Sequence, residues 1–237
     1  MEKNKKTVRQ IMSLIIALTV ALSMMTSFAA LAANKKTKVT EKKLEQMTGN
    51  KACFVGDSLM QGVYLFSPFQ NAKYVTKIGL NVINAQNAKK RIWNNGTTTL
   101  SILDGIKSKN PRYIYIMLGA NELDWLNTNV AIKYYNRFVS KIKKKCPKAT
   151  VTILSVQPAT AAYCASHNGF TNAKVRSYNH ALKKLAKKQK VKFISLYQYF
   201  ADQNGNLRSE LAGVDGLHWK NNGVRVFYQA LRKELKK

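Results

Sequence analysis

Acidic residues are scarce in this sequence. Its 237 residues include 11 Asp and Glu against 40 Lys and Arg, which gives a formal net charge of +29. A protein with so basic a surface attracts polyanions, among them nucleic acid, anionic lipid and the acidic polymers of a cell envelope. The charge alone does not choose among these partners.

Cysteine and histidine are also few, with three of each. They form no cluster with the spacing of metal ligands, so we expect neither a metal ion nor another cofactor. Cys53 falls in an apolar run and is interpreted as a small buried hydrophobe. Cys146 and Cys164 could pair with each other, and the sequence leaves that question open. Internal repeats and low-complexity tracts are lacking too, which excludes repeat architectures.

The first 32 residues have the three parts of a secretory signal peptide. Four basic residues lie within positions 3–9, an apolar stretch runs from 11 to about 28, and Ala30 and Ala32 form a small-residue cleavage site. This pattern predicts export with cleavage after Ala32. An uncleaved membrane anchor is the alternative, because the apolar stretch approaches spanning length.

Export narrows the choice of partners. Removing the four bases and one acid of residues 1–32 leaves a net charge of +26 on the mature chain. Nucleic acid is a poor candidate partner for an exported protein, whereas an anionic cell envelope fits. We therefore expect the protein to be secreted and associated with the envelope.

Beyond a lysine-rich leader at 33–49, apolar runs alternate with helical patterns. The apolar runs predict strands at 52–55, 74–78, 113–118, 150–156 and 191–196. Apolar residues at helical spacing predict helices at 98–108, 130–145, 172–189 and 223–235. Such alternation predicts βαβ units and therefore one domain over 50–237, a three-layer αβα sandwich around a parallel five-stranded sheet.

The first apolar run ends in Gly56, Asp57 and Ser58, and a helix is predicted directly after it. Ligands bind at the carboxyl ends of strands in open α/β sheets. Ser58 would present its hydroxyl there, with its backbone N–H at a helix start that favours negative charge. The alternative is structural, because Asp57 and Ser58 are also good helix caps.

Other polar residues follow the neighbouring predicted strands. Gly79 follows the second strand, Asn121 follows the third, and Asp215 and His218 precede the last helix. The ends of the first three strands are neighbours in a doubly wound sheet, so Ser58, Gly79 and Asn121 should meet there. A late loop could bring His218 over them.

These residue types suit nucleophilic attack on a carbonyl. His218 would accept the proton of Ser58, and Asp215 would hold the other ring nitrogen of His218. The backbone N–H groups of Ser58 and Gly79 and the amide of Asn121 would donate hydrogen bonds to an oxyanion. Each residue alone has an ordinary structural explanation as a loop or cap residue, and only the combination favours catalysis.

The combination resembles the SGNH hydrolase superfamily, also called the GDSL esterases and lipases. Positions 56–59 read Gly-Asp-Ser-Leu, Gly79 matches the second block, positions 119–122 read Gly-Ala-Asn-Glu, and Asp215 with His218 matches the last. The resemblance spans about residues 50–235. It implies a flavodoxin-like fold and metal-free ester hydrolysis through an acyl-serine. Glu122 departs from the pattern, since the family usually has Asp there, in a position that supports the loop.

The expected function is that of a secreted, monomeric serine esterase that acts on short-chain esters, acetyl above all, of a carbohydrate or envelope polymer. Trp125, just after the third block, is the candidate substrate contact, because exposed aromatic rings can stack on sugars. Acyl transfer to a wall polysaccharide, lysophospholipid hydrolysis and non-catalytic wall binding are the alternatives.

Overall fold

The computed structural model describes residues 39–69, 71–87 and 100–237. The predicted signal peptide and positions 33–38 of the leader lie outside these residues. The described helices are α1 (Glu41–Thr48), α2 (Ser58–Phe66), α3 (Ile102–Ser108), α4 (Thr128–Lys145), α5 (Ala161–Ser166), α6 (Asn172–Gln189), α7 (Tyr197–Phe200) and α8 (Asn221–Leu235). The strands are β1 (Ala52–Gly56), β2 (Lys73–Thr76), β3 (Tyr113–Met117), β4 (Thr150–Leu154) and β5 (Lys192–Ile194), and a 3₁₀ helix spans Asn84–Gln86.

The five strands form one parallel sheet in the order β2-β1-β3-β4-β5. Val55 of the inner strand β1 pairs with Val75 of β2 on one side and with Ile116 of β3 on the other. The chain therefore runs outward to β2 and then returns past β1 to β3. This reversal brings the carboxyl ends of the first three strands together, and the predicted parallel α/β fold is confirmed.

The sheet is buried because helices cover it. All five residues of β1 are buried, as expected for a strand with no solvent-facing side. Helices α3, α4 and α6 pack against one another in turn, while α8 packs against α1 and α2. Phe54 of β1 stacks on Tyr115, with ring centroids 5.0 Å apart, and meets Phe227 of α8 edge-on. Aromatic packing thus fixes the last helix against strand β1.

The element boundaries differ slightly from those predicted. Strand β2 ends at Thr76 instead of residue 78, because the chain turns there and Leu80 N–H donates to the carbonyl of Lys77 at 3.0 Å. Helix α3 begins at Ile102 because the Ser101 hydroxyl caps it by accepting from the backbone N–H of Asp104. Helix α6 has the predicted bounds.

The three cysteines are free thiols. Cys53 is fully buried in β1, and this burial raises its pKa to about 12, in keeping with a structural hydrophobe. Cys146 follows α4 and Cys164 lies in α5, and no disulfide joins them. Among the described residues, no helix is both long and apolar enough to cross a membrane.

Candidate active site

A tight turn between β1 and α2 presents Ser58. Asp57 caps the helix, with its Oδ1 accepting from the backbone N–H of Leu59 at 3.0 Å. The turn also needs Gly56, because a Cβ there would lie 2.6 Å from Cβ of Met60 and 2.7 Å from the carbonyl oxygen of Met117. Ser58 is therefore the first residue of α2 and lies just after the end of β1, which has β2 on one side and β3 on the other.

The loop before α8 brings a histidine and a carboxylate to this serine. His218 Nε2 lies 2.8 Å from Ser58 Oγ, and His218 Nδ1 lies 2.5 Å from Asp215 Oδ2. The second oxygen, Oδ1, accepts the backbone N–H groups of Leu217 and His218, each at 3.0 Å. Gly216 adopts a positive φ of 77°, which lets this turn close over three residues. The backbone of the loop thus holds the Asp215 carboxylate through Oδ1, which leaves Oδ2 for the imidazole.

The carboxylate in this relay is ionised. Partial burial favours the neutral acid, but hydrogen bonds from the His218 side chain and from two backbone N–H groups outweigh it. The pKa of Asp215 is therefore held below its ordinary value. A charged Asp215 orients the His218 ring with Nε2 toward Ser58 and would stabilise an imidazolium if the ring accepted a proton.

Gly79 and Asn121 occupy the two loops that flank Ser58. Gly79 has φ of 70° in the turn between Lys77 and Leu80, and a Cβ there would meet no atom within 4 Å. Its neighbour on one side, Ile78, lines the cavity beside Ser58, so this turn faces the site. On the other side, the carbonyl of Leu80 accepts from Asn121 Nδ2 at 3.0 Å.

Asp57 supports Asn121 as well as the helix. Its second oxygen, Oδ2, accepts from Asn121 Nδ2 at 3.2 Å. Burial raises the pKa of Asp57 to about 6, against the opposing effects of the Leu59 hydrogen bond and the nearby His218. Both hydrogens of the Asn121 amide are thus engaged within the protein. An oxyanion at Ser58 would have to take an amide hydrogen from one of these two contacts. The hydrogen bond to Asp57, at 3.2 Å, is longer than the one to Leu80, at 3.0 Å, and is therefore the easier one to give up.

Glu122 connects the loop after β3, which carries the third sequence block, with the loop after β2, which carries the second. It is completely buried, and its Oε1 accepts from the backbone N–H of Val82 at 3.1 Å. Within the part of the chain that the structure describes, its other oxygen, Oε2, has no hydrogen-bond partner. Burial raises the pKa of Glu122 to about 8, aided by the nearby Asp57 and opposed by the Val82 hydrogen bond. The side chain is consequently neutral through much of the physiological range and braces the loop that follows Gly79.

Two features of this site exceed what the sequence pattern indicated. Asp57 was interpreted as a helix cap, yet it also holds Asn121. Glu122 was expected to support its own loop, yet it reaches across to Val82, 40 residues earlier. The only signal for either contact is the resemblance of the blocks, because cross-loop hydrogen bonds leave no periodicity in a sequence.

Aromatic side chains differ in their access to the site. Trp125 is 59% exposed, and its Nε1 donates to the carbonyl of Asn121 at 2.8 Å, so it stands at the rim. Trp219 stacks between Phe200 and Phe227, so it packs against the core, and its partly buried side chain also lines the cavity beside Ser58. Among the described residues, no three His, Cys, Asp or Glu side chains are grouped as metal ligands would be.

An open parallel α/β sheet that carries a serine, histidine and aspartate relay at its carboxyl edge has the arrangement of a serine hydrolase. Comparison with known families agrees with this class. The sequence model of the GDSL-like Lipase/Acylhydrolase family matches residues 54–226, and the chain belongs to that family. Members of it are hydrolases of ester bonds, and the SGNH resemblance of the sequence is thereby confirmed.

Individual proteins that resemble this chain either match a short part of it or share little sequence identity with it. The isoamyl acetate-hydrolyzing esterase of Saccharomyces cerevisiae is 36% identical over 63 residues, which are 27% of this chain and 26% of the esterase. A GDSL-like lipase from Bacteroides thetaiotaomicron is 16% identical, with a TM-score of 0.59 over 87% of this chain and 95% of that one. A peptidoglycan O-acetylesterase is 15% identical, with a TM-score of 0.53 over 70% and 46%. The two solved structures show the shared fold.

Proposed function

We propose that this protein is a secreted serine esterase that hydrolyses short-chain esters of a carbohydrate or cell-envelope polymer. One observation carries the catalytic part, namely the continuous hydrogen-bond relay from Asp215 through His218 to Ser58 Oγ. A hydroxyl is a weak nucleophile until a base removes its proton, and this geometry supplies that base.

The reaction takes two half-steps. His218 Nε2 accepts the Ser58 proton while Oγ bonds to the ester carbonyl carbon, and the resulting oxyanion accepts hydrogen bonds from Ser58 N–H, Gly79 N–H and Asn121. The carbon–oxygen bond to the alcohol then breaks as His218 returns the proton to the leaving oxygen. Water, deprotonated by His218, attacks the acyl-serine in the same way and releases the acid.

The relatives support a short acyl group. The yeast relative is named for hydrolysis of isoamyl acetate, and one structural neighbour is a peptidoglycan O-acetylesterase. The signal-peptide pattern of residues 1–32 would place the mature chain outside the cytoplasm, beside envelope polymers. Trp125 at the rim offers an exposed ring for a sugar, and its indole N–H is already engaged by Asn121.

An ester panel tests this function. Wild type and Ser58→Ala are assayed on acetylated sugars, acetylated peptidoglycan, acyl glycerols and lysophospholipids, with and without an acceptor sugar. We expect hydrolysis of the acetylated carbohydrates that is lost in Ser58→Ala. Turnover that requires the acceptor would indicate acyl transfer instead, and preference for lysophospholipid would indicate a lipid esterase. A wild type inactive on every ester would favour a wall-binding module.

The net charge of +26 suggests how the enzyme would stay near its polymer. Contacts between basic side chains and an anionic envelope are screened within about 10 Å at 0.1 M salt. Binding of the mature protein to isolated envelope should therefore fall steeply between low salt and roughly 0.5 M. Turnover of a small neutral ester should barely change, because the relay is local. Salt-independent binding would leave the charge with a role in solubility alone.

A further inference from the structure

A cavity of 240 Å³ lies directly beside Ser58, and its lining is mostly apolar. Exposed apolar side chains are unevenly distributed in the described part of the chain. Three of the large ones line this single cavity: Leu65 is 54% exposed, Phe66 58% and Ile78 68%. Apolar surface concentrated at one place on a protein marks a binding site more often than chance exposure does.

The geometry of α2 creates this cavity. Ser58, Gly62 and Phe66 follow one another at four-residue spacing, so they lie along one face of the helix, with Leu65 beside them. A Cβ at Gly62 would meet no atom of the described residues within 4 Å, so the missing side chain leaves open space among them. Glycine inside a helix is unfavourable relative to alanine. Here it leaves a groove that starts at the serine and ends at the phenylalanine.

The opposite side of the site has a different chemistry. A second cavity of 520 Å³ adjoins Asp215, and its lining combines apolar side chains such as Ala162 and Val214 with several hydroxyl-bearing and charged ones, among them Thr160, Tyr163, Ser209 and Lys220. The leaving alcohol must receive its proton from His218, which bonds to Asp215. His218 itself lines the groove, so proton delivery does not decide where the alcohol lies. The hydroxyl-bearing and charged side chains of the second cavity suit a hydroxylated alcohol, which leaves the apolar groove for the acyl group.

We propose that the groove over Gly62 is the acyl subsite and that it holds an apolar acyl chain of about four to six carbons, since four helical residues advance about 6 Å from Ser58 to Gly62. This inference rests on the proposed ester hydrolysis and sharpens it, because it extends the acyl group beyond acetyl. Leu65, Phe66 and Ile78 act as specificity-determining residues through contact with that chain. The alcohol part remains outside the groove.

Two ester series at fixed enzyme concentration test the assignment. One varies the acyl group, as p-nitrophenyl acetate, butyrate and hexanoate, and the other varies the alcohol, as methyl to hexyl acetate. Burial of one methylene corresponds to about a four-fold gain in binding, so the four methylenes added from acetate to hexanoate should raise wild-type kcat/KM by up to about 250-fold when all are buried. Substrates are kept below their micelle concentrations so that the series reports on the groove.

Gly62→Leu fills the groove where a side chain has room, so the variant should fold as well as wild type. We expect its hexanoate-to-acetate ratio of kcat/KM to fall at least ten-fold, and Phe66→Ala to lower the ratio less. Val130→Ala, which removes an exposed apolar side chain on α4 outside the groove, is the matched control and should keep the wild-type ratio.

Three results would overturn the assignment. The first is an acyl profile in Gly62→Leu equal to that of wild type, and the second is a change confined to the alkyl acetate series, which would give the groove to the alcohol. The third is a wild type that prefers acetate over butyrate. Failure of the proposed esterase function is distinguishable, because then Ser58→Ala would hydrolyse p-nitrophenyl acetate as fast as wild type.

Discussion

The pKa values of the carboxyl groups are shifted in opposite directions on the two sides of the site. On the side of the loop before α8, Asp215 is about half exposed and its pKa is lowered by hydrogen bonds that outweigh partial burial. On the side of the strand ends, Asp57 and Glu122 are buried and burial raises the pKa of each, to about 6 and about 8. One side therefore holds a permanent charge, and the other holds carboxyls that titrate between pH 5 and 9.

This difference corresponds to a division of labour. Proton transfer needs an imidazole beside a stable charge, and an exposed loop supplies one without the cost of burying it. Oxyanion stabilisation needs donors whose positions are fixed in advance, and the hydrogen bonds of the Asn121 amide to Asp57 and Leu80 hold that side chain in place until an oxyanion takes one of the two hydrogens. Asp57 and Glu122 touch no reacting atom in this scheme. They act through Asn121 and through the loop that carries Gly79.

The largest loss of activity should follow from substitutions on the exposed side of the site, at His218 and Asp215. His218→Ala should lower kcat on p-nitrophenyl acetate by roughly three or more orders of magnitude, as loss of a triad member does. Asp215→Ala should lose less. Because Ser58 and His218 act as a unit, the double variant Ser58→Ala/His218→Ala should be little worse than either single one. Single losses that multiplied in the double variant would contradict the relay.

Removing the donor on the buried side should cost less. Asn121→Ala should lower kcat by roughly 10- to 1,000-fold, in line with loss of one oxyanion donor, while KM changes less. The measurement is steady-state kinetics on the same ester, with circular dichroism as a check of folding. A rise in KM at constant kcat would mean that Asn121 binds ground-state substrate instead of the oxyanion.

Asp57→Asn tests whether Asn121 needs its buried partner. A hydrogen bond to a charged group contributes about 1.5–3 kcal/mol, so its loss should lower kcat by roughly 10- to 100-fold. Wild-type Asp57 becomes protonated as the pH falls through about 6 and weakens its hold on Asn121. The difference between wild type and Asp57→Asn should accordingly shrink below pH 6. A constant ratio from pH 5 to 8 would assign Asp57 to the helix cap alone.

The two sides also differ in how far a sequence can predict them. The continuous apolar runs of β1 and β3 predicted strands of a buried sheet, because burial on both faces imposes that pattern. The helical spacing of apolar residues in the same way predicted α6. The order of polar residues at the strand ends predicted that Ser58 and Asn121 would be neighbours. The contact of Glu122 with Val82 was not predictable, since it depends on the path of two irregular loops.

Glu122→Gln should have the smallest effect on turnover, within about three-fold, because glutamine still accepts the N–H of Val82. Its effect on stability should depend on pH. The wild-type carboxyl is neutral in the folded protein up to about pH 8 but ionises near pH 4.5 when unfolded, so its contribution is complete below pH 4.5 and is lost as the pH rises through 8. Glutamine does not titrate.

The free energy of unfolding, measured by urea at pH 5 and pH 8, checks this expectation. Glu122→Gln should gain stability over wild type on going from pH 5 to pH 8, by about 3 kcal/mol at most, since each pKa unit is equivalent to about 1.4 kcal/mol. Glu45→Gln removes an exposed glutamate of α1 and controls for the lost charge. Equal pH dependence in all three proteins would show that Glu122 is ionised in the fold. In that case the loop behind Gly79 would be held by a buried charge, and the contrast with Asp215 would disappear.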